Sequence, residues 1–125
     1  MRFLLHGEFR DAVRKALEKH EHAAHTAAEL PDGTVPATAE ELFPLLEKQQ
    51  WNLLTSDTAV IRDLYEKKIQ FSGVIVQILD EIKLAKEQAD AIERLFERYK
   101  RLTPRRLYTV TASRVKIRQL PGGHG

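Results

Sequence analysis

Asn-Leu-Leu-Thr-Ser-Asp-Thr-Ala-Val, residues 52–60, decides how the rest of the chain is read. Two leucines run into Thr55, Ser56 and Asp57, which is the pattern of a short buried strand ending on polar groups. Beyond Asp57 the spacing changes. Val60, Ile61, Leu64 and Tyr65 follow the i, i+1, i+4, i+5 stripe of a helix with one buried face. A strand that turns directly into a helix is half of a βαβ unit. Asp57 stands at the junction, where a carboxylate has two ordinary uses. It can cap the following helix by accepting from its first free N–H groups. It can also face a ligand, because open α/β sheets bind at the carboxyl ends of their strands.

The same alternation extends outward in both directions. Residues 2–5 (RFLL) read as a strand, and Glu8 to Lys19 as a helix with Phe9, Ala12, Val13, Ala16 and Leu17 inward. Residues 22–26 are a weak strand, and 31–38 (PDGTVPAT) a loop broken by two prolines and a glycine. Thr38 is placed to cap a helix over 39–49, with Glu41 three residues later as in a capping box. Pro44 should distort or shorten that helix. A helix over roughly 58–68 follows the opening strand. Residues 72–79 are the clearest buried strand. A long helix over about 81–100 puts Ile82, Ala85, Ala89, Ile92, Leu95, Phe96 and Tyr99 on one side. Two short strands around Ala112–Arg114 close the chain as a hairpin. The order predicts an α/β fold, a three-layer α/β/α sandwich with a mostly parallel sheet and a C-terminal β-hairpin. One domain spans 1–121, and 122–125 read as a frayed tail.

Composition narrows the function. The chain has 125 residues, enough for a single domain, and no cysteine, which removes disulfides and thiolate metal sites and fits a reducing cytoplasm. No apolar run reaches the roughly 18 residues of a membrane span; the longest, Gly73 to Leu79, is interrupted by Gln77. The three apolar residues before His6 are too few for a signal-peptide core, so neither export nor a membrane partner is expected. The net charge of +2 hides an asymmetry. Residues 1–93 carry 11 Lys/Arg against 17 Asp/Glu, whereas 94–118 carry nine basic residues and one acid, Glu97. Such a block suits a phosphate backbone such as RNA, or an acidic partner, or is an ordinary solvated face. Within it Arg105, Arg106, Arg114, Lys116 and Arg118 flank or lie in the hairpin. Strand alternation lets Arg114, Lys116 and Arg118 share a face.

Right-handed crossovers gather the residues after each strand at one edge: His6 and Glu8, the 31–41 segment, and Asp57. Glu8, Glu40, Glu41 and Asp57 together are a set of oxygens suited to Mg²⁺ or Mn²⁺, and each alone is also a good first-turn acid or cap. His20, His22 and His25 have the density of a metal cluster. Alternation, however, puts His22 and His25 on opposite faces, and a solvated turn and strand entry accounts for them. Trp51 and Tyr108 read as core or rim. There is no phosphate loop, dinucleotide fingerprint or nucleophile elbow.

Taken in order, FLLHGEF, EHAAH, TAEELF, LLTSDTAV, SGVIVQI and LYTVTASRVKIRQLP resemble the compact PIN-like proteins, relatives of the VapC toxin ribonucleases. The resemblance covers residues 1 to about 121. It implies a ribonuclease of toxin–antitoxin type that holds Mg²⁺ or Mn²⁺ on acidic residues at this edge, with a small helix-turn-helix antitoxin as partner. Position by position, His6 fills the slot of the first-strand aspartate, Ala39 that of the helix-start aspartate, and Ala59 that of the second aspartate after the third strand. Asp57 matches its counterpart, and Glu40 aligns with the acid that follows the helix start. The resemblance therefore nominates Asp57, Glu40 and His6 as catalytic, with Glu8 as a further metal ligand. Such a His/carboxylate set would favour Mn²⁺ or Zn²⁺ over Mg²⁺. Two functions follow: a nuclease with a remodelled, weakened acidic site, or an inactive PIN-like module that binds RNA or a protein through its basic C-terminal segment. Self-association into an oligomer stays open.

Overall fold

In the computed structural model, residues 1–122 are described. The expected tail at 122–125, with His124, therefore lies outside the described residues except for Gly122, which sits in a turn. Six strands, β1 (Arg2–His6), β2 (Ala23–His25), β3 (Asn52–Thr55), β4 (Ile75–Ile78), β5 (Arg106–Val110) and β6 (Val115–Gln119), form one sheet in the order β2-β1-β3-β4-β5-β6. The first five are parallel, and β6 returns antiparallel to β5 as the expected hairpin. Four α-helices connect them: α1 (Asp11–Lys19), α2 (Ala39–Gln49), α3 (Thr58–Glu66) and α4 (Ala85–Arg98).

Alternation along the strands splits the core in two. Phe3, Leu54, Val76, Ile78, Tyr108 and Val110 meet α1 and α4 on one face. Leu4, Leu53, Ile75 and Leu107 meet α2 and α3 on the other. The central strands are thus covered on both sides, which is why β4 reads as a nearly continuous apolar run. Trp51 and Tyr108 are core residues, at 7% and 1% exposure.

Three elements start three or four residues later than the sequence reading, and for the two helices the reason is tertiary. The helix expected from Glu8 begins at Asp11. Gln88, on α4 and only 2% exposed, accepts from the Arg10 N–H at 2.8 Å and donates to the Glu8 carbonyl at 3.2 Å. That holds residues 8–10 out of the helix. The same amide donates to the Ile82 carbonyl at 3.2 Å, and a turn at 79–82 sets Ile82 into the core, so the last helix starts at Ala85 instead of 81. Gln88, not the exposed Ala85, is consequently the inward residue of its first turns. The strand expected over 72–79 is trimmed to Ile75–Ile78. Conversely α2 runs unbroken through Pro44. The carbonyl left without an i+4 donor belongs to Glu40 in the exposed first turn, where water can serve it.

The histidines are not solvated as expected. His20 and His22 stack on Phe96, with ring centroids 4.8 and 4.7 Å away, and His25 stacks on Trp51 at 4.3 Å. Phe96 and Trp51 belong to the two opposite core layers, as alternation requires. Glu93 holds His20 at 2.8 Å, and Glu29 holds His25 at 2.9 Å.

Candidate functional site

The loops that leave β1, β3 and β4 converge at the carboxyl edge around a cleft of about 660 Å³. β1 leads into Gly7, whose φ of +129° is open only to glycine, and a side chain there would run into the Ser56 hydroxyl. The floor of the cleft is therefore two backbones in close approach, with Ser56 N donating to the His6 carbonyl at 3.2 Å. Glu8, Asp57 and Asp80 bring carboxylates to the walls; Arg10, Arg62 and Lys83 bring cations. Gln88 braces two walls at once through its bonds to residues 8, 10 and 82.

Asp57 answers both parts of the question raised by its position. Its Oδ1 accepts from Ala59 N at 2.8 Å, so it caps α3, and it also lines the cleft. Thr55, fully buried, accepts from Asp57 N at 2.9 Å, and its hydroxyl lies 2.8 Å from His6 Nδ1. Burial holds His6 below the usual 6.5 of a histidine, partly opposed by the nearby Asp57 charge, so the ring is neutral near pH 7.

Glu40 is not brought to this group. Its carboxylate pairs with Lys67 Nζ at 2.8 Å, which holds it below the ordinary range of a glutamate. Lys67 closes α3 at the end opposite Asp57, roughly 15 Å away along the helix axis at 1.5 Å per residue. Glu8 reaches the cleft from an exposed loop. Among the described residues, no three histidine, aspartate or glutamate side chains stand close enough together to hold a metal ion. Of the set His6, Glu8, Glu40 and Asp57 that the resemblance implies for Mg²⁺ or Mn²⁺, Glu40 thus stands apart. Asp80, Arg10, Arg62 and Lys83 were missed by the sequence reading. Asp80 follows the end of β4 and was open to the same strand-end argument that singled out Asp57. The three cations carry no local signal.

The basic C-terminal block is contiguous in sequence and divided in space. Arg105 and Arg106 sit where β5 begins, at the amino edge, with Arg105 N donating to the Gly73 carbonyl at 2.8 Å. Arg114 lies in the turn at the carboxyl edge, where its N–H donates to Thr111 Oγ1 at 3.0 Å. About four residue steps of strand, roughly 13 Å, separate the two groups. Lys116 and Arg118 share the α2/α3 face, paired with Thr109 and Leu107. Arg118 lies over the Tyr65 ring at 3.7 Å.

Register shows a further feature. His6 pairs with Thr55, Thr55 with Gln77, Gln77 with Thr109, and Thr109 with Lys116. Five neighbouring strands therefore each place a polar residue in one transverse row, at the carboxyl end of the α2/α3 face. Two residues earlier on the four parallel strands, and two later on the antiparallel β6, the row on the same face reads Leu4, Leu53, Ile75, Leu107, Arg118. The polar row becomes more open from its middle outward: Thr55 and Gln77 are buried, Thr109 half-buried and Lys116 exposed.

No protein-family model matches this chain, and no curated protein and no solved structure matches it. Among the described residues no helix is long and apolar enough to cross a membrane.

Proposed function

We propose that this chain is a PIN-like module, related to the VapC toxin ribonucleases, that holds single-stranded RNA along the carboxyl edge of its sheet. One observation carries the reading. Arg10, Arg62 and Lys83, from three separate segments, converge on a single cleft at the edge where open α/β sheets bind their ligands. Three cations around one concave site suit successive phosphates, and Lys116 and Arg118 continue the charge along the neighbouring groove. The cleft's carboxylates keep it from being a uniformly positive trap.

Binding of a short single-stranded RNA, followed by fluorescence anisotropy across a salt series, tests this. Changing Arg10, Arg62 and Lys83 together to Gln should weaken binding and flatten the salt slope by about 2, at roughly 0.7 per phosphate contact. Unchanged affinity and slope would remove the reading.

A second reading, a metal-dependent endoribonuclease, is favoured by Glu8, Asp57 and Asp80 lining that same cleft. Cutting in Mg²⁺ or Mn²⁺ that Asp57→Asn and Asp80→Asn each abolish would establish it. RNA binding without such cutting leaves the binding module. A helix-turn-helix antitoxin belongs to this proposal as a partner through the resemblance alone.

A further inference from the structure

Beside the cleft lies a second groove of about 640 Å³, within the usual range for small-ligand sites. The two adjoin, with Thr58 and Arg62 lining both. Its floor is the outer half of the polar row, Gln77, Thr109 and Lys116. Ile61, Tyr65 and Leu107 supply apolar wall, and Arg62 and Arg118 stand with Lys116 as cations.

Gln77 is the residue that calls for an explanation. It occupies a central-strand position where the preceding residue of the same face, Ile75, is fully buried apolar core. At 7% exposure it is itself buried. The Thr109 hydroxyl bonds one arm of its amide at 3.2 Å; the other arm has no partner among the described residues. An amide here forgoes the packing gain that a leucine in the same place would make. The unused arm is not sealed in the core, since Gln77 lines the groove. A polar group kept where packing prefers an apolar one marks a site used for something other than folding.

We infer that this groove takes one nucleobase of an RNA strand whose backbone lies in the adjoining cleft. The inference rests on the RNA reading above and gives it a base-contacting pocket. Base edges present donors and acceptors in pairs, which a free amide arm and a neighbouring hydroxyl can meet, and unstacked bases are read on those edges in single strands. The base face has apolar side chains to lie on, together with the Arg118 guanidinium, already held over Tyr65. That tyrosine is fixed in turn by donating to the Gln119 carbonyl at 2.8 Å. Arg62, shared by both cavities, is placed for the phosphate that links the two.

The test uses the full chain, ¹⁵N-labelled, titrated separately with nucleoside 5′-monophosphates and with ribose 5-phosphate, which lacks the base. The monophosphates should shift the Gln77 side-chain amide and the Thr109 signal, and ribose 5-phosphate should leave the Gln77 amide in place. Gln77→Leu, close in volume, and the isosteric Thr109→Val should each weaken binding of a short RNA about five- to tenfold without changing the salt slope, since no charge is removed. RNA binding that neither variant weakens, with the Gln77 amide unmoved, overturns the pocket and leaves the RNA reading standing. Monophosphate binding that Gln77→Leu abolishes, in a protein that does not bind RNA, keeps the pocket and overturns the RNA reading. Equal shifts from ribose 5-phosphate reduce the groove to a phosphate site and overturn the base-binding claim.

Discussion

Two rows of side chains on one sheet face, two residues apart, behave as opposites. Leu4, Leu53, Ile75 and Leu107 are sealed beneath α2 and α3, whereas His6, Thr55, Gln77 and Thr109, on the same strands, form a polar line that opens into a groove. Backbone hydrogen bonding is the same in both rows, so the sheet itself does not ask for the change. The apolar row meets the demand of folding. The polar row gives up apolar burial at the carboxyl edge, where strand ends and helix starts leave room for a ligand. The contrast separates positions that hold the protein together from positions that do something with it.

That separation can be broken by mutation. Leu53→Ala, in the apolar row, should destabilise by about 2–5 kcal/mol, measured by urea denaturation. A smaller loss would mean that the α2/α3 core is loosely packed. Gln88→Leu keeps volume but leaves the Arg10 N–H and the carbonyls of Glu8 and Ile82 without their partner. It should lose about 1–3 kcal/mol and loosen the cleft walls, so RNA affinity should fall with it. Gln77→Leu, in the polar row, should stay within about 1 kcal/mol of wild type in either direction, because one hydrogen bond is exchanged for apolar packing. A loss near that of Leu53→Ala would make the polar row structural and erase the contrast.

The smallest effect concerns pH. Burial disfavours the imidazolium of His6, so as pH falls below 6.5 the unfolded chain takes up this proton before the folded one does. Its contribution to stability is full above 6.5 and is lost as pH falls through the lower, folded value. His22 is shifted the same way, first by burial, and works in the same window. His6→Asn should remove part of the decline in stability between pH 7 and pH 5. An unchanged decline would assign it to His22 and other groups.

Local chemistry was legible where neighbours in sequence are neighbours in space. The 52–60 junction, the Thr38 cap, accepting from Glu41 N at 3.3 Å, and the opposite faces of His22 and His25 all follow from periodicity or capping. What escaped depends on contacts across the chain. Gln88 decides where α1 begins from 78 positions away. Lys67 draws off Glu40, which the PIN-like alignment had set beside Asp57. The nine cations of 94–118 look like one patch only while the chain is laid out as a line. Gln77 did leave a trace, as the one break in the apolar run from Gly73 to Leu79. Its meaning needed the register, which sets it in line with Thr55 and Thr109.

The strand order carries a consequence for how the protein is made. β1 is made before β3, yet it belongs inside the sheet, between β2 and β3, and Phe3 pairs with Asn52. At roughly 5–20 residues per second, about 2.5 to 10 seconds pass between the synthesis of those two positions. Throughout that interval Phe3, Leu4 and Leu5 lack a flank that the finished sheet supplies, and a passing hydrophobic surface competes for them. β5 and β6 meet within a few residues of each other and face no such delay. Among the parallel neighbours of this sheet, β1 therefore waits longest for its second flank, and the wait ends when β3 arrives.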